Sequence, residues 1–109
     1  MTNYTVKSLE KLGLLRIIET TNDVVENTWT ILYEKIFMIK YIKDIQTIKI
    51  YYNMRDNSPV DNICLRFEHY NTMTDVYEIL VNAWISYQKV LNGDDFLTEK
   101  NNYSNMGTI

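Results

Sequence analysis

The sequence predicts a compact α+β domain, with helices packed on one face of a small antiparallel sheet. In "TIKIYYNMRDNSPVDNICLRFEHY", Thr47 to Tyr70, two apolar runs of period two flank a cluster of turn formers. In "NTMTDVYEILVNAWISYQKVLNG", apolar residues recur at helical spacing. The chain has 109 residues, 46% of them apolar, which is enough for one core without disulfide staples. The runner-up is a mostly helical bundle with the hairpin appended.

The first element is a short helix over about Val6 to Leu12. Thr5 can cap it, and Gly13 stands where a left-handed residue ends a helix. "LLRIIET" then reads as a third strand over about 14–20, in preference to a helix extension. The next element is a long helix over about 23–43. Asp23 and Glu26 have capping-box spacing, and Val25, Trp29, Leu32, Ile36 and Ile39 share a face at 100° per residue. Its β-branched content leaves part-strand open as an alternative.

Within the hairpin, Ile48, Ile50, Tyr52 and Met54 alternate with Lys49, Tyr51 and Asn53. Ile63, Leu65 and Phe67 alternate with Cys64, Arg66 and Glu68. One face is therefore floor, and the other shows Lys49, Tyr51, Arg66, Glu68 and Tyr70. The last helix spans about 73–92, with Thr72 or Thr74 as cap, acids in its first turn and Gly93 as stop. Its stripe is Val76, Leu80, Ala83, Tyr87 and Val90. Residues 1–92 form the domain, and 93–109 read as a flexible polar tail. No repeat, low-complexity tract or linker stands out.

Composition narrows the function classes. The single cysteine, Cys64, excludes an internal disulfide framework. No signal segment opens the chain, and no apolar run reaches the ~18 residues of a membrane span. These features predict a cytoplasmic protein. Abundant Ile, Asn, Tyr, Lys and Thr, with one Ala and one Pro, fit an AT-rich genome such as that of a phage or plasmid.

Catalytic chemistry finds little support. His69, the only histidine, falls by alternation on the inward side of its strand, opposite Cys64, which disfavours a Cys–His dyad. One Cys and one His fall short of a structural zinc site. Asp94, Asp95 and Glu99 lack the alternating oxygen ligands of a calcium loop, and the three glycines stand alone. No metal or cofactor is expected, and a small enzyme built on carboxylates or Cys64 ranks third among the functions.

Charge is segregated along the chain. Residues 1–55 carry net +2 and residues 56–109 net −5. Lys35, Lys40, Lys43, Lys49 and Arg55 face a single acid, Asp44, with Tyr41, Tyr51 and Tyr52 interleaved. Cations beside aromatic rings are a nucleic-acid signature. "TVKSLEKLGLLRI" resembles the end of a recognition helix and the first wing strand of winged-helix regulators. Too few residues precede it here for the supporting helix such a motif needs.

The expected function is a non-enzymatic protein-binding module. It would be an inhibitor, an anti-defence (anti-CRISPR-like) protein or an immunity-type accessory protein of a mobile element. Asp75, Glu78, Asp94, Asp95, Tyr51 and Tyr70 would occlude a basic site on a partner protein. The alternative is a small nucleic-acid-binding regulator using Lys40, Lys43, Lys49 and Arg55. A homodimer through Phe37, Met38 and Tyr41 is compatible with either.

Overall fold

A computed structural model describes residues 1–53 and 59–102, with side chains on the last helix as far as Leu91. The architecture is α+β. Strands β1 (Thr2–Leu9), β2 (Leu14–Thr21) and β3 (Val24–Leu32) form one antiparallel sheet in that order. Strands β4 (Ile36–Ile42), β5 (Thr47–Tyr52) and β6 (Asp61–Arg66) form a second. One long helix, α1 (Tyr70–Asn102), completes the described fold.

Two expectations about helices fail. No helix occupies Val6–Leu12: Thr2–Leu9 is strand, and Glu10–Leu12 is a single 3₁₀ turn. Gly13 is left-handed as expected, with φ 68°, but it closes a hairpin turn, its N–H donating to the Glu10 carbonyl at 3.0 Å. The resemblance to a recognition helix therefore fails with that helix. Nor is there a helix over 23–43, where β3, a 3₁₀ turn (Tyr33–Lys35) and β4 follow one another. Asn22 and Asp23 both take positive φ, 51° and 68°, and form the two-residue turn between β2 and β3. Asp23 is thus a turn residue and not a cap. Val24, Val25, Thr28, Thr30 and Ile31 favour the extended chain, and this preference decides the segment.

The strand expected over 14–20 exists as β2, but it is the centre of the first sheet and does not join the hairpin. The 47–70 hairpin itself pairs as its alternation requires, with Ile48 opposite Leu65 and Ile50 opposite Ile63. All four are buried. The turn expected from "RDNSP", 55–59, lies outside the described residues as far as position 58.

Both sheets and α1 share one core. Leu15, Ile17 and Ile31 come from the first sheet, Ile39, Ile48, Ile50, Ile63 and Leu65 from the second, and Met73, Val76 and Leu80 from α1. Tyr33, fully buried between the sheets in sequence, stacks on Tyr87 of α1 at 4.7 Å, and its hydroxyl pairs with Ser8. The helix starts at Tyr70, so Thr72 and Thr74 lie inside it and are not caps, and its first turn holds no acid. Its inward stripe is buried at Val76 and Leu80 but open by Val90 and Leu91. The backbone stays helical through Gly93 to Asn102, and 103–109 lie outside the described residues.

Edge strands are tied by side chains. The Tyr4 hydroxyl of β1 accepts the Arg66 N–H at 3.0 Å, while the Arg66 carbonyl and Glu19 compete for its proton at 3.2 and 3.3 Å. Gln46, left-handed at φ 46°, accepts the Phe67 N–H and donates its side-chain amide to the Phe67 carbonyl.

Burial raises the pKa of Tyr4, Tyr33 and Tyr52 above the usual phenol value; Asp61 adds to the effect at Tyr52. A folded-state pKa above the unfolded one, ~10, gives stability that is whole below that pH and falls as pH rises through the folded value. Urea midpoints are therefore expected to drop above about pH 10, and less steeply in Tyr33→Phe. A flat profile would refute this assignment.

Candidate functional site

Alternation in the second sheet sends every other residue away from the core. On that outer face the strand register opposes Lys40 on β4 to Lys49 on β5, and Lys49 to Cys64 on β6. The next row holds Ile42, Thr47 and Arg66, and the row on the other side holds Met38, Tyr51 and Asn62. Among the described residues, these paired outer positions include three cations and no acid. Asp44 and Glu68 are exposed, but they lie in the connections beyond the strand ends. Lys49, Cys64 and Arg66, with Ile45 and Thr47, line a shallow depression on this face.

A bulge shapes one end of the face. Ile36 pairs with Tyr52 and Met38 with Tyr51, so Phe37 is the extra residue. Bulges re-aim side chains. Here Phe37 and Met38 are both exposed, and the Phe37 ring lies 6.2 Å from that of Tyr51, tilted by 37°. The result is a cationic sheet surface with an aromatic pair at one end.

Like charges directly opposed across strands are destabilising. Lysines on edge strands guard against sheet-to-sheet pairing. That role does not account for Lys49, which sits on the central strand. The charges of Lys40 and Lys49, at directly opposed positions, do not favour pairing of their strands. An anion spanning both ammonium groups would relieve their repulsion.

The residues expected to act together are only partly brought together. Lys40 and Lys49 are opposed; Lys43 lies in the 3₁₀ turn between β4 and β5, its ammonium 6.0 Å from the Tyr70 ring centroid. Arg55 lies outside the described residues. Tyr51 lies on the cationic face, whereas Tyr70, at the start of α1, donates to the Lys43 carbonyl. Asp75 and Glu78 are exposed on α1, and the side chains of Asp94, Asp95 and Glu99 lie outside the described residues. Tyr70, Asp75 and Glu78 thus share α1, while Tyr51 stands on the second sheet.

Tyr41 packs inward, edge-on to Tyr77 and hydrogen-bonded to Thr74, so it shares no patch with Phe37 and Met38. His69 is exposed in the joint before α1 and does not point inward; its carbonyl accepts the Met73 N–H. Cys64 is exposed and its thiol donates to Asn62.

Two contributors were missed by sequence reading. Arg66 alternates to the outer face, but it is distant in sequence from the lysines it joins there. Phe37 falls within the stretch whose spacing also fits a helix, and no local signal announces a bulge. Among the described residues, no group of three His, Cys, Asp or Glu is placed to hold a metal ion, and no helix is long and apolar enough to cross a membrane. No family model matches the chain, and no curated protein matches it.

Proposed function

We propose that the protein is a non-enzymatic nucleic-acid-binding regulator whose working surface is the outer face of β4–β5–β6. The observation that carries this reading is the Lys40–Lys49 opposition on a face with no paired acid. Lys40, Lys49 and Arg66 neutralise phosphates, and Phe37 and Tyr51 offer rings on which unpaired bases stack. Stacking needs an exposed base face, so single strands are favoured over duplex.

Anisotropy with a labelled single-stranded oligonucleotide and with its duplex tests the reading. Retention of the single strand is expected, with log K falling on log salt at a slope of about −2 for three neutralised phosphates. Tyr51→Ala should weaken the single strand roughly tenfold and leave the duplex unchanged. No retention of either probe at low salt would end the proposal.

A second reading rests on α1. Asp75 and Glu78 are exposed beside Ile79, itself 51% exposed. Carboxylates around an open apolar residue suit a basic site on another protein. Under this reading the chain is a cytoplasmic inhibitor or anti-defence protein, acting by occlusion. A salt-sensitive partner lost in Asp75→Asn/Glu78→Gln, but kept in Lys40→Gln/Lys49→Gln, would favour it over the first.

A further inference from the structure

The strand register reveals an internal repeat that the residue identities conceal. In the first sheet Lys7 of β1 is opposite Arg16 of β2, as Lys40 is opposite Lys49 in the second, each 33 positions on (7 to 40, 16 to 49). The hairpin turns correspond: a three-residue 3₁₀ turn ends in a left-handed residue, Gly13 in one case and Gln46 in the other. Exposed Leu12 and Ile45 precede those residues.

The third strands extend the match. Arg16 pairs with Thr30 and Lys49 with Cys64, while Leu15 pairs with Ile31 and Ile48 with Leu65. Leu15, Ile31, Ile48 and Leu65 are all buried. The two halves are thus three-stranded meanders whose core and solvent positions match from the first hairpin turn as far as Ile18 and Tyr51; beyond that the bulges fall on different strands.

The cation pair recurs at the equivalent place in both halves, and in each half one member is on the central strand, where it guards no edge. Opposed like charges do not help either sheet fold. On the first sheet, the row of Lys7, Arg16 and Thr30 is flanked by Thr5, Ile18 and Thr28 on one side and by Leu9, Leu14 and Leu32 on the other, and Arg16 donates to Thr30 at 3.4 Å. Glu26 falls in the register step of β3, at the far end of the sheet. No ring stands where Tyr51 stands in the second half; the register puts Ile18 there.

We infer that the Lys7–Arg16 face is a second nucleic-acid-binding face, one that grips backbone phosphates without stacking bases. One chain then holds two separate nucleic-acid segments. The inference rests on the reading of the second sheet given above, and adds a site to it.

The test mixes the full chain with two single-stranded oligonucleotides, one carrying a donor dye and the other an acceptor. Stoichiometric titration is expected to give two strands per chain, with energy transfer between the dyes. Lys7→Gln/Arg16→Gln should bind one strand and abolish transfer while keeping the dependence on Tyr51. Lys40→Gln/Lys49→Gln should also bind one strand, with no dependence on Tyr51. Urea midpoints check that each variant is folded.

One strand per wild-type chain, unaffected by Lys7→Gln/Arg16→Gln, overturns the second face and leaves the first standing. Transfer that persists in both double variants means that chains associate, and it also overturns the inference. Absence of any binding removes both readings together.

Discussion

Lys49→Glu is expected to make the folded chain more stable and its nucleic-acid complex weaker at the same time. The substitution converts a like-charge opposition with Lys40 into an opposite-charge pair on adjacent strands. Cross-strand pairs of that kind contribute about 0.2–1 kcal/mol, and removal of the repulsion adds in the same direction. The urea midpoint should therefore rise while the slope m stays unchanged.

Binding should move the other way. Two of the three cations are lost from the face, one by reversal and one by internal pairing, so the salt slope should shrink from about −2 toward about −0.7. A structural role for Lys49 would give the opposite pattern, with stability lost and binding following it. Anisotropy at two salt concentrations beside one urea titration separates the two. Unchanged affinity would remove the second sheet from consideration as the working surface.

Ile50→Ala is expected to remove a large share of the stability of the fold. Ile50 is fully buried on the central strand of the second sheet, between Ile39 and Ile63. Its neighbours belong to regular strands, which have little freedom to collapse into the space left behind. Truncation of a buried Ile costs about 2–5 kcal/mol, lost transfer energy plus residual cavity. A domain of this size has only about 5–15 kcal/mol in total. At the middle of these ranges the urea midpoint should fall by about a third, and Ile50→Val should lose about 1 kcal/mol. The same truncation at Ile79, 51% exposed on α1, should stay within about 0.5 kcal/mol. Equal losses at the two positions would contradict the core as drawn.

The two segments misread as helix show why helical spacing alone is insufficient. Val25, Trp29, Leu32, Ile36 and Ile39 fall on one helical face, yet Trp29, Ile31 and Tyr33 also fit a period of two. Spacing permits both conformations. Asn22 and Asp23, adjacent and turn-forming, were the local signal that a hairpin was starting, and their positive φ confirms it. Near the N-terminus, Gly13 signals a left-handed residue in either case. A helix end and a hairpin turn use the same glycine, and only the pairing of Leu9 with Leu14 tells them apart.

Sequence alone determined the pairing of β5 with β6, the inward side of Ile48, Ile50, Ile63 and Leu65, and the apolar stripe of α1 through Val76 and Leu80. Each follows from a periodicity that holds whatever surrounds it. The tertiary structure alone decided that Lys40 joins Lys49 and Arg66, that Phe37 bulges toward Tyr51, and that Lys7 and Arg16 repeat the arrangement. Those are matters of register between strands, and register is set by turns and core packing that no single strand encodes.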